Sequence, residues 1–201
     1  MLTTDTKEKY VEKLEECSSG AVDRILCEGG HPDQRLPADF GPLDTACVLA
    51  GQIYTVGGHV HESPGAYTTL LEWTKLHSQA PQGCVVMCQP NDATLPHMDE
   101  FSSETFTCRG IRGYIVDGGC LDSSFICRLG LQVWCRYLAP RDVLGRWVAD
   151  SFGEAIEIGG VSIRTGDYVI AERDGVVIIP QEMIEDVVEQ VEVVRHSEKK
   201  V

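Results

Sequence analysis

Short apolar runs that alternate with helical patterns between residues 44 and 137 constrain the fold of this chain more than any other feature. The runs predict four strands, at Ala46–Val56, Gly83–Cys88, Gly113–Asp117 and Gln132–Tyr137. Helical patterns separate them, at a segment that starts at Ser63-Pro64, at Leu95–Arg109 and at Asp122–Leu129. Strand and helix in strict alternation predict a largely parallel sheet with helical crossovers, and therefore an α/β fold.

The two ends of the chain differ from this middle part. Two helices are predicted first, Thr6–Cys17 and one that carries Ala21–Leu26, before a loop rich in Pro and Gly at Gly29–Pro42. After Tyr137, Gly-Gly, Thr-Gly-Asp and Asp-Gly turns predict hairpins between four short strands, Glu154–Ile158, Val161–Ile163, Tyr168–Glu172 and Val176–Ile179. A helix from Pro180 to about Ser197 closes the chain. We expect one domain over residues 1–201 with one shared core.

Composition excludes several function classes. The net charge is −14, with 17 basic against 31 acidic residues, which disfavours a nucleic-acid-binding surface. No apolar run is long enough for a transmembrane helix, and the N-terminus lacks a secretory signal pattern. The nine cysteines are scattered, sit mostly in apolar stretches and form no CxxC motif. We therefore expect reduced thiols, a cytoplasmic location and no membrane contact.

The strongest candidate for chemistry is the segment Asp117–Asp122, Asp-Gly-Gly-Cys-Leu-Asp. It follows a predicted strand and precedes a helix, where ligands of α/β sheets collect. Its two glycines would let the backbone approach a ligand closely. Asp122 has two possible roles at this point, as a ligand-binding group or simply as the cap of the helix that it precedes.

Three further groups are weaker candidates. Asp99 and Glu100, together with Asp122, could hold a hard cation, or they could be the solvated start of a helix. His59 and His61 alternate along the chain and could reach one metal or substrate, or they could lie in a polar loop.

The third group is a pair of arginines. Arg141 and Arg146 lie near a turn and could bind a carboxylate, or they could pair with acids of this acidic chain.

Taken together, these motifs resemble the RraA-like family, which includes regulators of ribonuclease E activity and class II 4-hydroxy-4-methyl-2-oxoglutarate aldolases. The ending Gly159–Pro180, GGVSIRTGDYVIAERDGVVIIP, is the most specific match. Ser19–Ile25 resembles the early Ser…Asp helix of the family, and Gly41–Val56 resembles its Pro-Leu…Leu-Ala-Gly…Thr-Val strand. The stretch Pro140–Trp147 occurs in one branch of the family.

The resemblance implies a three-layer ββα swivelling fold, assembly as trimers or pairs of trimers, and Mg²⁺ or Mn²⁺ as the cofactor of the aldolases. It implies that Asp122 binds the metal and that Glu198, from the last helix of a neighbouring subunit, completes the site. The family segment that holds the substrate carboxylate with backbone amides corresponds to Asp99, Glu100, Phe101 and Ser102. Glu100 takes its acidic position and would orient or deprotonate a water.

Two departures from the family pattern bear on function. Leu121 stands where the family has the Arg that stabilises the enolate, and Asp99 stands where Gly is usual. Losing one such donor typically costs ~10²–10³ in rate. His59, His61 or Arg141 are candidates for the missing cation.

We therefore expect a metal-dependent lyase of the aldolase or decarboxylase type, with a 2-oxo acid or related small carboxylate as an altered substrate. The alternatives are a non-catalytic trimeric regulatory protein and a repurposed enzyme with non-lyase chemistry.

Overall fold

A computed structural model describes the backbone of residues 4–61, 65–141 and 143–198, and the side chains of these residues except 4 and 194–198. Its helices are α1 Thr4–Glu15, α2 Ser19–Glu28, α3 Ala66–Gln79, α4 Glu100–Cys108, α5 Ser123–Leu129 and α6 Ile184–Glu198, the last preceded by a 3₁₀ turn at Gln181–Met183. Its strands are β1 Gly41–Pro42, β2 Leu49–Val60, β3 Val85–Gln89, β4 Gly113–Val116, β5 Gly119–Cys120, β6 Gln132–Cys135, β7 Tyr137–Leu138, β8 Trp147–Phe152, β9 Ile156–Ile158, β10 Val161–Ile163, β11 Tyr168–Glu172 and β12 Gly175–Ile179.

The main sheet has the strand order β1-β6-β4-β3-β2-β11-β12. β2, β3, β4 and β6 are parallel, as the alternating pattern predicts, and α3, α4 and α5 are their crossovers. β2 is long enough to serve two partners along one edge, with β11 pairing its first residues and β8 its last. The prediction of a parallel α/β core is confirmed.

Three layers form because both faces of the parallel strands are apolar. Along β3, Val86 and Cys88 pack under the crossover helices, whereas Val85 and Met87 face the small β9–β10 sheet. This division follows from the alternation of side chains along a strand. A third apolar cluster lies where α1, α2 and α6 cover β11 and β12. The helices, the main sheet and the small sheet make the expected ββα arrangement.

The strand β8 was not predicted, and β2 continues four residues beyond Val56. Both differences have one cause, since β8 pairs with the extension of β2 from Val56 to Val60. Gly58 permits this pairing because any Cβ there would collide with the Trp147 ring. The indole Nε1 donates to the carbonyl of Pro90 at 2.8 Å, which fixes the buried ring across the end of β2.

Two further expectations are wrong. α4 begins at Glu100 rather than Leu95, because the Asp92 carboxylate accepts the N–H of Leu95 at 2.6 Å and holds a turn there. The Thr-Gly-Asp turn forms no hairpin, since β10 pairs with β9 and β11 pairs with β12 and β2. Thr165 is instead drawn to the main sheet, where its hydroxyl accepts the N–H of Thr55 at 3.0 Å.

The cysteines and the helices bear on two other expectations. All nine cysteines are free thiols, four of them buried and three exposed. Within the described ranges, no helix has both the length and the apolar character needed to cross a membrane.

Candidate functional site at the carboxyl edge of the sheet

The parallel strands end at one edge of the sheet, and the segments that follow them lie side by side there. Asp117 comes directly after β4, and Arg136 comes directly after β6. The chain before α4 runs along the segment after β4, because His97 N donates to the Gly119 carbonyl at 2.9 Å. Leu121 N likewise donates to the Met98 carbonyl, at 2.8 Å. The fold thus brings residues 98–102 next to residues 119–122.

Asp122 does not cap the helix that it precedes. Its backbone is left-handed, with φ 53° and ψ 31°, and its side chain makes no capping hydrogen bond to α5. A non-glycine residue in this region is uncommon, although Asp is among the residues that tolerate it. The carboxylate is exposed and accepts the N–H of Glu100 at 3.3 Å, at the start of α4. The capping role therefore does not account for Asp122.

Asp99 is the residue that caps a helix at this edge. Its Oδ1 accepts the N–H of Ser102 at 2.8 Å, and its backbone carbonyl accepts the N–H of Ser103. Two amides at the start of α4 are therefore taken by carboxylates of the chain itself, Ser102 by Asp99 and Glu100 by Asp122. Glu100 is exposed, and the Phe101 side chain is 63% exposed. Two of the four amides that the family resemblance assigns to a substrate carboxylate, those of Glu100 and Ser102, therefore already have anionic acceptors.

The donor set suits a hard cation that keeps most of its waters. Asp99, Glu100 and Asp122 offer carboxylate oxygens, the ligands that Mg²⁺ and Mn²⁺ prefer. Within the part of the chain that the structure describes, however, no group of three or more His, Cys, Asp or Glu side chains is arranged to hold a metal. Mg²⁺ often binds through only one or two carboxylates, so Asp122 can serve as a single protein ligand.

Two buried histidines support this acidic region. His97 lies under the Gly118–Gly119 segment, with Nε2 3.2 Å from Asp92 Oδ2 and its ring 4.9 Å from that of Trp147. His77, on α3, packs edge-on against Phe106 with ring centroids 4.9 Å apart. Burial lowers the pKa of each imidazole from 6.5 to about 4. Both rings are therefore neutral at pH 7.

The glycines of the Asp117–Asp122 segment serve internal packing. A Cβ on Gly118 would lie 2.9 Å from Cδ2 of His97, and one on Gly119 would collide with the Tyr137 ring. Packing alone therefore explains the two glycines, without a ligand, because any side chain there would collide with His97 or Tyr137.

The candidate replacements for the family arginine lie elsewhere in the fold. His59 Nδ1 is 2.6 Å from Asp150 Oδ2, and the His59 and His61 rings are 6.1 Å apart, so the two side chains share one exposed side of β2 and its continuation. Arg141 is exposed. None of the contacts among the described residues joins these three to Asp122 or Glu100. Glu198 ends α6, and its side chain lies outside the described part.

Arg136 is the cation at this edge that the sequence analysis missed. Its Nε donates to Asp117, its Nη1 donates to Asp39, and its guanidinium stacks on Phe40 at 4.7 Å from the ring centroid. The signal that could have found it is its place one residue beyond a buried strand. The apolar pattern predicts that Arg136 lies inside a strand that runs to Tyr137, whereas β6 ends at Cys135.

The fold places this protein among the α/β proteins that have a parallel sheet, and its acidic candidate site lies at the carboxyl ends of the parallel strands. The RraA-like family, described as Aldolase/RraA, matches residues 21–178. The chain belongs to this family.

Two curated relatives are similar to the chain. Protein DlpA of Legionella pneumophila is 23% identical over 100% of this chain but only 32% of its own length. A protein of Halalkalibacterium halodurans with the provisional name 4-hydroxy-4-methyl-2-oxoglutarate aldolase is 27% identical over 57% of this chain and 54% of its own. The chain thus spans about a third and about half of these two relatives.

Solved structures support the fold. One described as novel cellulases from microbes associated with the gut ecosystem superposes with a TM-score of 0.90 at 24% identity, covering 100% of this chain and 90% of the other. Streptomyces coelicolor RraAS2, described as an unusual member of the RNase ES inhibitor RraA family, gives 0.83 at 22% identity over 95% and 94%. At such identities the likeness shows the fold alone.

Proposed function

We propose that the protein is a Mg²⁺- or Mn²⁺-dependent carbon–carbon lyase that acts on a 2-oxo acid or related small carboxylate. The single observation that supports this most is the geometry of Asp122. Its carboxylate is exposed and leaves its own helix uncapped, although it occupies the capping position. The left-handed backbone of a non-glycine residue costs conformational energy, and the Asp122 side chain gains in return only one long hydrogen bond, from the Glu100 amide at 3.3 Å. Such costs concentrate at functional sites.

In this proposal each residue has a defined task. A divalent cation, when bound, would polarise a substrate oxygen as a Lewis acid. Asp122 would hold the cation, and its long bond to the Glu100 amide would be given up in exchange. Glu100 carries the exposed carboxylate beside it and would accept a proton as general base. Phe101 and Ser102 would border the substrate.

The substrate is proposed to differ from that of the usual aldolases. Leu121 is half-buried and apolar, so it cannot neutralise an enolate oxygen. Asp99 adds a negative charge where a substrate carboxylate would otherwise meet free amides. Both features disfavour a pyruvyl group in the usual position. His59, His61 and Arg141 stay candidates for a compensating cation in an assembled oligomer.

We further propose a homotrimer or hexamer in the cytoplasm. Family membership supports this assembly. A second support is that, among the described residues, one chain alone does not bring three metal-binding side chains together, so a neighbouring subunit would have to supply a further ligand. In this arrangement Glu198 of a neighbouring subunit would complete the site. One chain has a mass of 22.1 kDa. Light scattering that shows a particle of this mass at micromolar concentration contradicts the assembly.

Metal binding and turnover test the proposal together. Calorimetry should show that Asp122→Asn weakens Mn²⁺ binding by more than ~10-fold, because an anionic oxygen is lost from a hard-cation site. Asp174→Asn, in the exposed β11–β12 turn, is the matched control and should bind Mn²⁺ as the unaltered chain does. Release of pyruvate or CO₂ from a panel of 2-oxo acids should require the metal and be lost in Asp122→Asn. Equal metal affinity in both variants would rule Asp122 out.

A second candidate is a non-catalytic regulatory protein, as the family also includes regulators. The observation in its favour is that the amides of Glu100 and Ser102 are already bonded to carboxylates of the chain. A chain that binds Mn²⁺ through Asp122 but turns over no 2-oxo acid would support this candidate against the lyase.

A further inference from the structure

We propose that the open pocket beside Arg136 binds a small carboxylic acid, and that Asp39 forms an ion pair with the arginine until the acid displaces it. The pocket has a volume of about 500 Å³, within the range of small-molecule sites. It lies between β1, the segment after β6 and the first turn of α5. This site is separate from the metal chemistry proposed for Asp122 and does not depend on it.

The guanidinium is fixed in place by groups other than Asp39. Its Nε donates to Asp117, and its face stacks on the buried Phe40 ring at 4.7 Å from the centroid. The backbone beside Phe40 is held too, because Gly41 and Pro42 pair with β6. Arg136 would therefore keep its position if Asp39 turned away, and a preorganised cation binds an anion at a lower entropic cost.

Asp39 holds the arginine through a single bond. One of its oxygens accepts from Nη1, and Nη2 makes no hydrogen bond to any residue that the structure describes. A ligand carboxylate can bridge Nη1 and Nη2 with two parallel bonds, the stronger geometry for an arginine. The Asp39 side chain is 59% exposed, so it can return to water when displaced. The arginine then exchanges one carboxylate partner for another.

The remaining walls indicate what the acid looks like. Pro42, Leu43 and Leu138 line the pocket with apolar surface, and the Leu138 side chain is 59% exposed. Ser123 and Ser124 add hydroxyls whose oxygens make no hydrogen bond within the described residues. A charged head on Arg136 and a short branched apolar body therefore fit best. A second negative charge on the ligand would be repelled by Asp39, which lines the pocket.

Calorimetry with 3-methylbutanoate in metal-free buffer tests this inference, with the neutral 3-methylbutanamide as its isostere. The acid should bind at least ~10-fold more tightly than the amide, because a charge-assisted bidentate pair is lost in the amide. Arg136→Gln should weaken binding of the acid by at least ~10-fold for the same reason. Asp39→Asn should tighten binding of the acid by about 5-fold, since the competing exposed ion pair is removed.

Two controls separate this pocket from the site at Asp122. Asp33→Asn removes the same charge from an exposed position of the same loop and should leave acid binding unchanged. Asp122→Asn should bind the acid normally, so failure of the lyase proposal would leave this result standing. If Arg136→Gln does not fold, the proposal is still tested by the Asp39 and Asp33 variants and by the comparison of the acid with the amide. An amide that binds as well as the acid, or an Asp39→Asn no tighter than Asp33→Asn, overturns the inference.

Discussion

The carboxyl edge of the sheet has two halves that handle charge in opposite ways. In the acidic half, Asp99, Glu100 and Asp122 form no ion pair within the described residues, and two of them bond to backbone amides. In the arginine half, Arg136 is held between Asp117 and Asp39. The first half presents unpaired carboxylates, which suit a cation. The second presents a positioned guanidinium, which suits an anion that can replace Asp39.

In this chain the positive and the negative charge of the site lie apart, whereas the family motif is expected to keep an Arg and an Asp together. The family motif would place an Arg and an Asp next to each other after β4. Here Leu121 fills the arginine position, and the cation lies one strand away at the end of β6. None of the contacts among the described residues joins Arg136 to the acidic half, so each half can be altered alone unless a substrate spans both.

Acid should affect the two halves differently, and this is the largest effect that we predict. His77 and His97 have pKa values lowered to about 4 by burial, so between about pH 6.5 and pH 4 the unfolded chain binds protons that the folded protein does not. The free energy of unfolding therefore falls as the pH falls through this window. From pH 7 to pH 5 the loss should be about 2 kcal/mol for each histidine.

Urea denaturation at the two pH values measures this loss. His77→Gln and His97→Gln should each lose about 2 kcal/mol less than the unaltered chain between pH 7 and pH 5. His61→Gln, at an exposed position, should lose as much as the unaltered chain. Between pH 7 and pH 5, hydrogen exchange should increase more in α4 than in β6, because His77 packs against Phe106 of α4. Unchanged pH dependence in both variants would show that the histidines do not support the acidic half.

Moving the cation into the acidic half is the second prediction. Leu121→Arg restores the Arg-Asp pair of the family and should raise oxaloacetate decarboxylation by ~10-fold or more, part of the ~10²–10³ that such a donor supplies. The double variant with Asp99→Gly should gain further, because a negative charge is removed beside the substrate carboxylate. Leu121→Gln, of similar length but neutral, should gain little. Release of CO₂ in the presence of Mg²⁺ measures all four chains.

These activities discriminate between two hypotheses for the acidic half, a lyase site with a replacement cation and a site with another function. If the unaltered chain already decarboxylates oxaloacetate at a rate equal to the arginine variant, another cation replaces the Arg. If no variant gains activity although all bind Mn²⁺ and stay assembled, the acidic half has been rebuilt for another reaction or for binding alone.

Local pattern was enough to predict the parallel core and the place of Asp122. Apolar runs such as Val85–Cys88 identify buried strands, and the rule that ligands collect beyond strand ends then points to the residues that follow β4. Residues whose role depends on distant partners were missed. His97 is neutral because Trp147, far along the chain, covers it. Arg136 matters because a loop brings Asp39 to it, and no spacing rule connects these two positions.

The smallest effect that we predict concerns the two aspartates that bond to the start of α4. Asp99 caps the helix, so Asp99→Ala should lower the free energy of unfolding by about 1 kcal/mol, whereas Asp99→Asn should retain most of the cap. The Asp122 side chain makes one long bond to α4 and none to α5, so Asp122→Asn, which still tolerates the left-handed backbone, should change stability by less than about 0.5 kcal/mol. Urea denaturation at pH 7 compares the three variants. A cost for Asp122→Asn as large as that for Asp99→Ala would mean that Asp122 is a structural residue, and the argument that its geometry serves a ligand would then fail.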